Sequence, residues 1–375
     1  MIEREDLLAL SDVRVTDHLV TSLYLNVDSS QRPQKGYLTV FKNLAKEVLF
    51  PPGTTRDQEK SVESDLSRLA TFLESRPDFA PSRGLAAFSS SEAEFWKVYP
   101  LPIPVPDRVA VLDRPMVSPL FLVASRHQPG LVIQASRGGG KISHVYLGQI
   151  ERLLRVESDV PSDVREAGFA GYEESRISRR VEELTDKHLR NLVAVVKELW
   201  EREGYRWVIL AGTEEMTSHL ADMLPNGLGV SVLGETVLSE DAPLAEVLME
   251  AQRLEAKARR EWEQEAVSRL MSGLKSGEPV AVGLRDACSA SFRSAVRTLL
   301  VADGAARQGH LCGDCRHLIP NSHRCPNCRG DNLILVHDLV DKLVERVLKA
   351  GSNVEAVGDE YGLAEFEGVG AFLRF

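Results

Sequence analysis

Three segments near the end of the chain decide its fold: VRTLLVADG (residues 296–304), LVDKLVERVLKAGSNVEAVGDE (residues 339–360) and GVGAFLRF (residues 368–375). The first and last segments have the composition of buried strands. The middle segment begins with a predicted helix that runs through Leu348. Two pairs of cysteines and the strand-like LILVH lie between the first segment and this helix. The order is strand, cysteine pairs, strand, helix and strand, which indicates an α/β region that contains a cysteine-rich element.

The cysteine pairs predict a zinc ribbon at residues 310–330. CGDC holds Cys312 and Cys315, CPNC holds Cys325 and Cys328, and nine residues separate the pairs. Two C-x-x-C turns let four thiolates converge tetrahedrally on Zn²⁺, and a closed all-cysteine site predicts a structural metal. Three nearby histidines are predicted to be surface residues, with the alternative that one replaces a cysteine that is not a ligand: His310, His317 and His323.

The composition is that of a globular chain with two or three domains. The 375 residues are 43% hydrophobic and 27% charged, and the net charge is −10. No apolar run approaches about 18 residues and no secretory signal is present, so we expect a cytoplasmic protein with no membrane partner and no small-molecule substrate. The negative charge argues against general binding to nucleic acid, although local basic patches could still bind RNA. Cys288 stands apart and is predicted to be a buried free thiol.

The first domain is predicted to span residues 1–117. Its predicted elements are two strands and two helices: VTSLYLNV (residues 20–27), residues 38–48, residues 61–73 and GLAAF (residues 84–88). The proline-rich YPLPIPVPD (residues 99–107) is expected to be extended, because each proline removes a backbone donor and fixes φ.

A central α/β domain is predicted over residues 118–240. Four strands are expected: FLVAS (residues 121–125), LVIQA (131–135), HVYLG (144–148) and RWVILAG (206–212). A loop at residues 156–174 leads into a helix with His188 on its apolar stripe, and a core histidine with a hydrogen-bonding partner is favoured over a catalytic one. SRGGGKIS (residues 136–143) fails the phosphate-loop pattern at Ala135 and Ile142, so a hairpin is predicted.

The third domain, residues 241–375, is predicted to open with a long helix over residues 244–274. Four basic residues cluster on it: Arg253, Lys257, Arg259 and Arg260. Glutamates are interleaved with them, so a solvated face with internal ion pairs is favoured.

The end of the chain resembles the third domain of archaeal and eukaryotic class-1 release factors and of Pelota. In that superfamily a strand precedes an inserted zinc ribbon, and the chain ends in a motif like GGIGAILRY, which GVGAFLRF matches nearly position by position. The resemblance is specific in the last third of the chain, moderate in the middle and weak at the front. It implies an α/β (α+β) fold of three domains and a ribosome-binding translation factor, with a translational GTPase such as elongation factor Tu as a further partner.

Two departures separate the chain from factors that terminate translation. AGFAGYEESRISRR (residues 167–180) lies where the family has Gly-Gly-Gln, and EVLFPPGTTRDQE (residues 47–59) has no NIKS sequence for reading stop codons. These departures resemble the bacterial branch that includes Balon-like hibernation factors, which occupy the ribosomal A site. The resemblance implies no catalytic residues and an RNA-binding loop with these residues: Gly168, Phe169, Ala170, Gly171, Tyr172, Arg176, Arg179 and Arg180.

Three functions stay open on the sequence alone. A non-catalytic ribosome binder in hibernation or rescue is expected, and the alternatives are a peptidyl-tRNA hydrolase with a degenerate loop and a repurposed scaffold that binds RNA or protein. The three arginines of the loop suit phosphate contacts. They could instead pair with four nearby glutamates: Glu173, Glu174, Glu182 and Glu183.

Overall fold

The computed structural model describes residues 7, 9–10, 12–15, 18–31, 35–75, 79, 81–136, 139–157, 171–224 and 231–375, without the side chains of residues 157, 171–178, 180–181 and 359. The chain divides into two compact units. Unit 1 consists of Met1–Arg126 and Trp262–Phe375, and unit 2 is His127–Glu261. The predicted first and third domains fall within the same unit, so the division into three domains stays a prediction.

The helices are numbered in chain order as α1 (Gly36–Lys46), α2 (Arg56–Ser75), α3 (Ser118–Arg126), α4 (Gly171–Glu203), α5 (Glu214–Met223), α6 (Leu244–Ser276), α7 (Leu284–Phe292) and α8 (Leu339–Lys349). No helix within the described ranges is long and apolar enough to cross a membrane.

The strands are β1 (Val20–Asn26), β2 (Gly84–Ser90), β3 (Phe95–Leu101), β4 (Arg108–Leu112), β5 (Gly130–Ala135), β6 (Gly139–Tyr146), β7 (Gln149–Glu157), β8 (Trp207–Ala211), β9 (Ser231–Thr236), β10 (Val280–Val282), β11 (Val296–Ala302), β12 (Gly309–Cys312), β13 (Leu318–Ile319), β14 (Leu333–Val336), β15 (Asn353–Val357) and β16 (Val369–Leu373). Helices and strands in parallel and antiparallel pairs confirm the mixed α/β class.

The described residues of unit 1 form three sheets. The first has the order β3-β2-β1-β4 and is antiparallel throughout. Its β1 packs Leu23 and Leu25 against Phe41 of α1 and Leu69 of α2. The second sheet has the order β10-β16-β11-β15, and β15 is the strand that runs parallel to β11. The third is the small ribbon sheet β13-β12-β14.

The C-terminal segment GVGAFLRF supplies β16, which pairs with β10 on one side and β11 on the other. Gly368 has a φ of 73°, and a Cβ there would lie 2.8 Å from the Cβ of Ala305. A Cβ on Gly370 would lie 2.3 Å from Leu270 of α6. Glycine therefore allows the left-handed turn into β16 and the close approach of α6 to the sheet.

Unit 2 is built on a five-stranded sheet of order β7-β6-β5-β8-β9, in which β5, β8 and β9 are parallel. The buried residues of α4 cover one core, including Leu189, Leu192 and Val196. The first half of α6 packs Val247 and Leu254 into a second core. The SRGGGKIS hairpin is confirmed, because β5 and β6 pair antiparallel with Ala135 opposite Gly140.

The long predicted helix is confirmed as α6. Its acidic and basic side chains pair along the exposed face, as expected from their interleaving. Arg253 lies 2.5 Å from Glu250, and Lys257 lies 3.9 Å from Glu261. The second half of the helix packs Val267 into a core of unit 1.

The predicted strand FLVAS is wrong, since these residues form helix α3. Ser118 and Pro119 stand at its first turn, where proline is well tolerated. Leu120 and Phe121 are buried in one cluster, while Leu122 packs against another. A helix that is apolar on more than one side lacks the periodicity that separates helix from strand.

The prediction for His188 is correct in its burial and wrong in its partner. The side chain lies in α4 and is only 3% exposed. Neither ring nitrogen has a hydrogen-bonding partner within the described parts of the chain. The histidine therefore contributes packing to unit 2 without the polar contact that was expected.

Candidate functional site

The four predicted zinc ligands come together in unit 1. The Sγ atoms of Cys312, Cys315, Cys325 and Cys328 all lie within 4.8 Å of one another. Cys312 and Cys328 are 3.5 Å apart between sulfurs, and Cys315 and Cys325 are 3.4 Å apart. A tetrahedral Zn²⁺ with bonds of about 2.3 Å would hold its sulfurs about 3.8 Å apart. The cluster therefore has the size and chemistry for one tetrahedral metal ion.

The two cysteine turns, called the zinc knuckles here, are built in the same way. In the first knuckle the amide of Arg316 donates to the carbonyl oxygen of Cys312 at 2.9 Å, and in the second Arg329 donates to Cys325 at 2.9 Å. Arg316 and Arg329 have φ values of 64° and 62°. This left-handed conformation costs a non-glycine residue about 1 to 2 kcal/mol. The shared geometry presents two cysteine sulfurs from each turn to the same point.

The ribbon has a small apolar core of its own, and its Leu311 and Leu318 are buried in the larger cluster that contains Leu339 of α8. Cys312 and Cys325 are buried with Ile319, and Leu333 packs against them. The prediction of surface histidines fails for His317, which is buried with its ring 4.9 Å from that of Phe292 in α7. Burial, with Arg346 and Arg293 nearby, lowers the pKa of His317. This residue is therefore neutral at pH 7 and serves packing.

The other two histidines follow the prediction more closely. His323 is exposed, and His310 is half-buried. Neither is needed as a metal ligand, because four sulfurs already complete a tetrahedral set.

The predicted RNA-binding loop receives no structural test. Gly168, Phe169 and Ala170 lie outside the described residues. Gly171 is the first residue of α4. Arg179 is exposed on that helix, and the side chains of the remaining three predicted residues are not described: Tyr172, Arg176 and Arg180. The RNA-binding role of all eight residues stays a prediction.

Sequence reasoning missed a buried ion-pair network in unit 1, called the α8 network here. Arg114 lies between β4 and α3, and its side chain is only 4% exposed. It lies 3.4 Å from Asp341 and 2.6 Å from Glu345, both on α8. Ser118 donates to the other oxygen of Asp341 at 2.5 Å. The network joins the end of the predicted first domain to the C-terminal helix.

Burial and charge act in opposite directions on the acids of the α8 network. Burial raises the pKa of Asp341, and the guanidinium of Arg114 opposes this effect. Burial also acts to raise the pKa of Glu345, but Arg114 and Lys342 lower it to about 2. Glu345 is therefore fully ionised at neutral pH and balances the buried charge of Arg114.

A second contact continues the network at the start of α8. Asp338 caps this helix by accepting hydrogen bonds from the amides of Val340 and Asp341. Arg108 of β4 also pairs with Asp338. The sequence could have predicted this cap, because an aspartate stands just before an amphipathic run. The ion pair carries no local signal, because its partners are 230 residues apart.

The central part of the chain matches a known family. Residues 115–256 match the model of bacterial archaeo-eukaryotic release factor family 10. This segment covers α3, the five-stranded sheet of unit 2, α4, α5 and the beginning of α6. This match supports the resemblance of the central residues to the release factor and Pelota superfamily. Within that superfamily, the matching family is bacterial family 10.

Several solved structures are similar to the chain at low identity. An archaeal translation termination factor, aRF1, is 17% identical over 100% of this chain and 99% of its own, with a TM-score of 0.27. Pelota from Archaeoglobus fulgidus is 17% identical over 78% and 79%, with a TM-score of 0.31. Dom34 from S. cerevisiae is 13% identical over 78% and 79%, with a TM-score of 0.42. No curated protein sequence matches the chain significantly.

Proposed function

We propose that this protein is a ribosome-binding translation factor that occupies the A site in hibernation or rescue without hydrolysing peptidyl-tRNA. The match of residues 115–256 to a release factor family supports a role in translation. The same match covers the segment in which release factors carry their catalytic loop. The protein would therefore bind the ribosome as release factors do, but it would not hydrolyse peptidyl-tRNA.

The absence of glutamine from the central sequence carries the non-catalytic part of the proposal. The catalytic tripeptide of release factors ends in glutamine, and this chain has no glutamine between Gln149 and Gln252. Gln134 is buried in β5, where its amide donates to the carbonyl oxygen of Ser239 at 2.9 Å. Gln149 is the first residue of β7, whereas residues 158–170 follow the last residue of that strand in the sequence. A degenerate loop would therefore have to work without the residue that positions the water.

The protein should sediment with vacant 70S ribosomes and release no labelled peptide from ribosomes loaded with peptidyl-tRNA. Changing Arg176, Arg179 and Arg180 to alanine should weaken sedimentation, because phosphate contacts are lost. It should also lower the dependence of binding on salt, by about one unit of slope for each lost contact. Sedimentation across a salt series and scintillation counting of released peptide measure the two effects.

A matched control changes to alanine three exposed arginines in the second half of α4 or just after it: Arg190, Arg202 and Arg206. This variant has the same net charge as the first, and it should sediment like the unaltered protein. No sedimentation of the unaltered protein at low salt would favour the repurposed scaffold. Peptide release well above that of buffer would establish the hydrolase instead.

Ribosome binding should not depend on the codon in the A site. The segment between α1 and α2, which would face the codon by analogy with release factors, has no NIKS sequence. Its residues Pro51 and Pro52 also restrict the backbone. Affinity for ribosomes programmed with each stop codon and with sense codons should agree within about twofold, which is less than about 0.5 kcal/mol. A strong preference for stop codons would contradict this.

A translational GTPase such as elongation factor Tu is proposed as the second partner. Dom34, which is described as interacting with Hbs1, provides a precedent for a binary complex of this kind. Sedimentation with and without elongation factor Tu and GTP tests the pairing, because a delivery partner should increase the bound fraction.

A further inference from the structure

The zinc knuckles share a feature that their metal site does not require. Each has an arginine directly after its second cysteine, in CGDCR and CPNCR. Arg316 and Arg329 adopt positive φ, a conformation that favours glycine, and Gly330 stands one position after the second of them. Arg324, which precedes Cys325, is the third arginine beside a ligand. All three side chains are exposed.

These three residues, called the ribbon arginines here, surround one centre. Each is the sequence neighbour of a cysteine, and the cysteine sulfurs lie within 4.8 Å of one another. Neighbouring Cα atoms are about 3.8 Å apart, so the three backbones lie close around the metal site. Three long cationic side chains therefore project from one small, rigid element.

The ribbon arginines have no carboxylate partner. None of the three takes part in an ion pair among the described side chains, which cover residues 231–375 except residue 359. Several arginines elsewhere in the chain are paired, as Arg114 is with Glu345 and Arg253 is with Glu250. The nearest acid of the first knuckle, Asp314, accepts a hydrogen bond from Asn332 at 3.0 Å. Positive charge is therefore left exposed on this surface.

The charged side chains other than the cysteines give this segment a net charge opposite to that of the chain. Residues 305–337 contain four arginines, two aspartates and neither lysine nor glutamate, whereas the whole chain has a net charge of −10. Arginine presents a planar fork that binds phosphate oxygens in pairs, which lysine cannot do. A local patch of this kind is complementary to a polyanion rather than to the rest of the protein.

We propose that Arg316, Arg324 and Arg329 form an RNA-binding surface that contacts the phosphate backbone. The choice of RNA among polyanions rests on the proposed function, while the cationic surface itself rests on the ribbon alone. The alternative is that these arginines stabilise the metal site, because four thiolates around a divalent ion leave a net negative charge. The zinc content of a variant without the arginines distinguishes the two roles.

The test uses the full-length, zinc-loaded protein and a short, fluorescently labelled RNA hairpin. Fluorescence anisotropy measures affinity across a salt series for the unaltered protein and for a variant with Arg316→Ala, Arg324→Ala and Arg329→Ala. We expect the variant to bind at least about tenfold more weakly, and its salt slope to fall by about three units for three lost contacts. Its zinc content and unfolding temperature should be unchanged.

Two further variants control for charge and for folding. One changes three exposed arginines outside the ribbon, Arg56, Arg260 and Arg285, and it should bind the hairpin like the unaltered protein. The other changes the ribbon arginines to lysine, and it should keep most of the salt slope because the charges remain. An unchanged affinity of the alanine variant, an equal loss in the charge control, or a loss of zinc in the alanine variant would each overturn the proposal.

Sedimentation with ribosomes is scored separately, so that the two proposals can fail separately. Unaltered protein that binds the hairpin through the ribbon arginines but does not sediment with ribosomes would contradict the proposed function alone. Protein that sediments with ribosomes but binds the hairpin independently of these arginines would contradict the RNA-binding surface alone.

Discussion

Changing Cys312 and Cys325 to serine should abolish zinc binding and unfold the ribbon. The unaltered protein should contain about one Zn²⁺ per chain, since four sulfurs within 4.8 Å provide one tetrahedral site. The double variant removes one ligand from each knuckle and also disturbs two buried side chains. A structural Zn²⁺ contributes about 10 kcal/mol or more to the folding of isolated zinc fingers. Most of the stabilisation of the ribbon should therefore be lost.

Elemental analysis of protein prepared without chelator measures the metal, and hydrogen exchange locates the unfolding. We expect exchange to increase in residues 309–336 and to stay nearly unchanged in unit 2. Cys288→Ser is the matched control, because this fifth cysteine is buried in α7 outside the metal cluster. That variant should keep its zinc. Metal-free unaltered protein would contradict the assignment of the site.

Asp341→Ala should cost about 3 kcal/mol of the free energy of unfolding. The change leaves the guanidinium of Arg114 buried without its buried partner, and breaking a buried pair costs about 3 to 5 kcal/mol. Glu345 still lies 2.6 Å from Arg114, which places the expected loss at the lower end. Chemical denaturation monitored by tryptophan fluorescence measures the change.

Asp113→Ala is the matched control for this prediction. Asp113 also pairs with Arg114, at 2.8 Å, but its side chain is 67% exposed. An exposed ion pair contributes little, so this variant should lose less than about 1 kcal/mol. Equal losses in the two variants would show that burial of the α8 network does not determine its contribution. A variant with Arg114→Met and Asp341→Leu together should recover much of the stability, since no buried charge is left unpaired.

The sequence predicted those parts of the fold that depend on neighbouring residues. The long helix α6 was found because its apolar residues repeat over many turns. The four cysteines were found because each C-x-x-C turn fixes two ligands within four positions. The motif GVGAFLRF predicted strand β16. The structure shows why its glycines are needed: Gly368 forms the turn into the strand, and Gly370 lies close to Leu270.

The parts that escaped prediction depend on distant residues. Helix α3 was read as a strand because its two faces meet two separate apolar clusters. His317 was expected at the surface, but its environment is set by Phe292 of α7. Arg114 and Asp341 are 227 residues apart, and no pattern around either one indicates the other. The three arginines of the candidate RNA-binding loop have four glutamates nearby, so the sequence alone leaves their role undecided.

The way unit 1 is assembled has a consequence for the nascent chain. The ribosome synthesises the first part of unit 1, up to Arg126, and then all of unit 2. The second part of unit 1, which begins at Trp262, is synthesised last. Until then Arg114 has no access to the carboxylates of α8, and the apolar cluster that Leu348 later contacts is incomplete. Residues 127–261 are contiguous and should fold as one unit before the second part of unit 1 is synthesised. Ribosomes stalled before residue 339 should therefore carry an N-terminal segment that is open to chaperones and proteases.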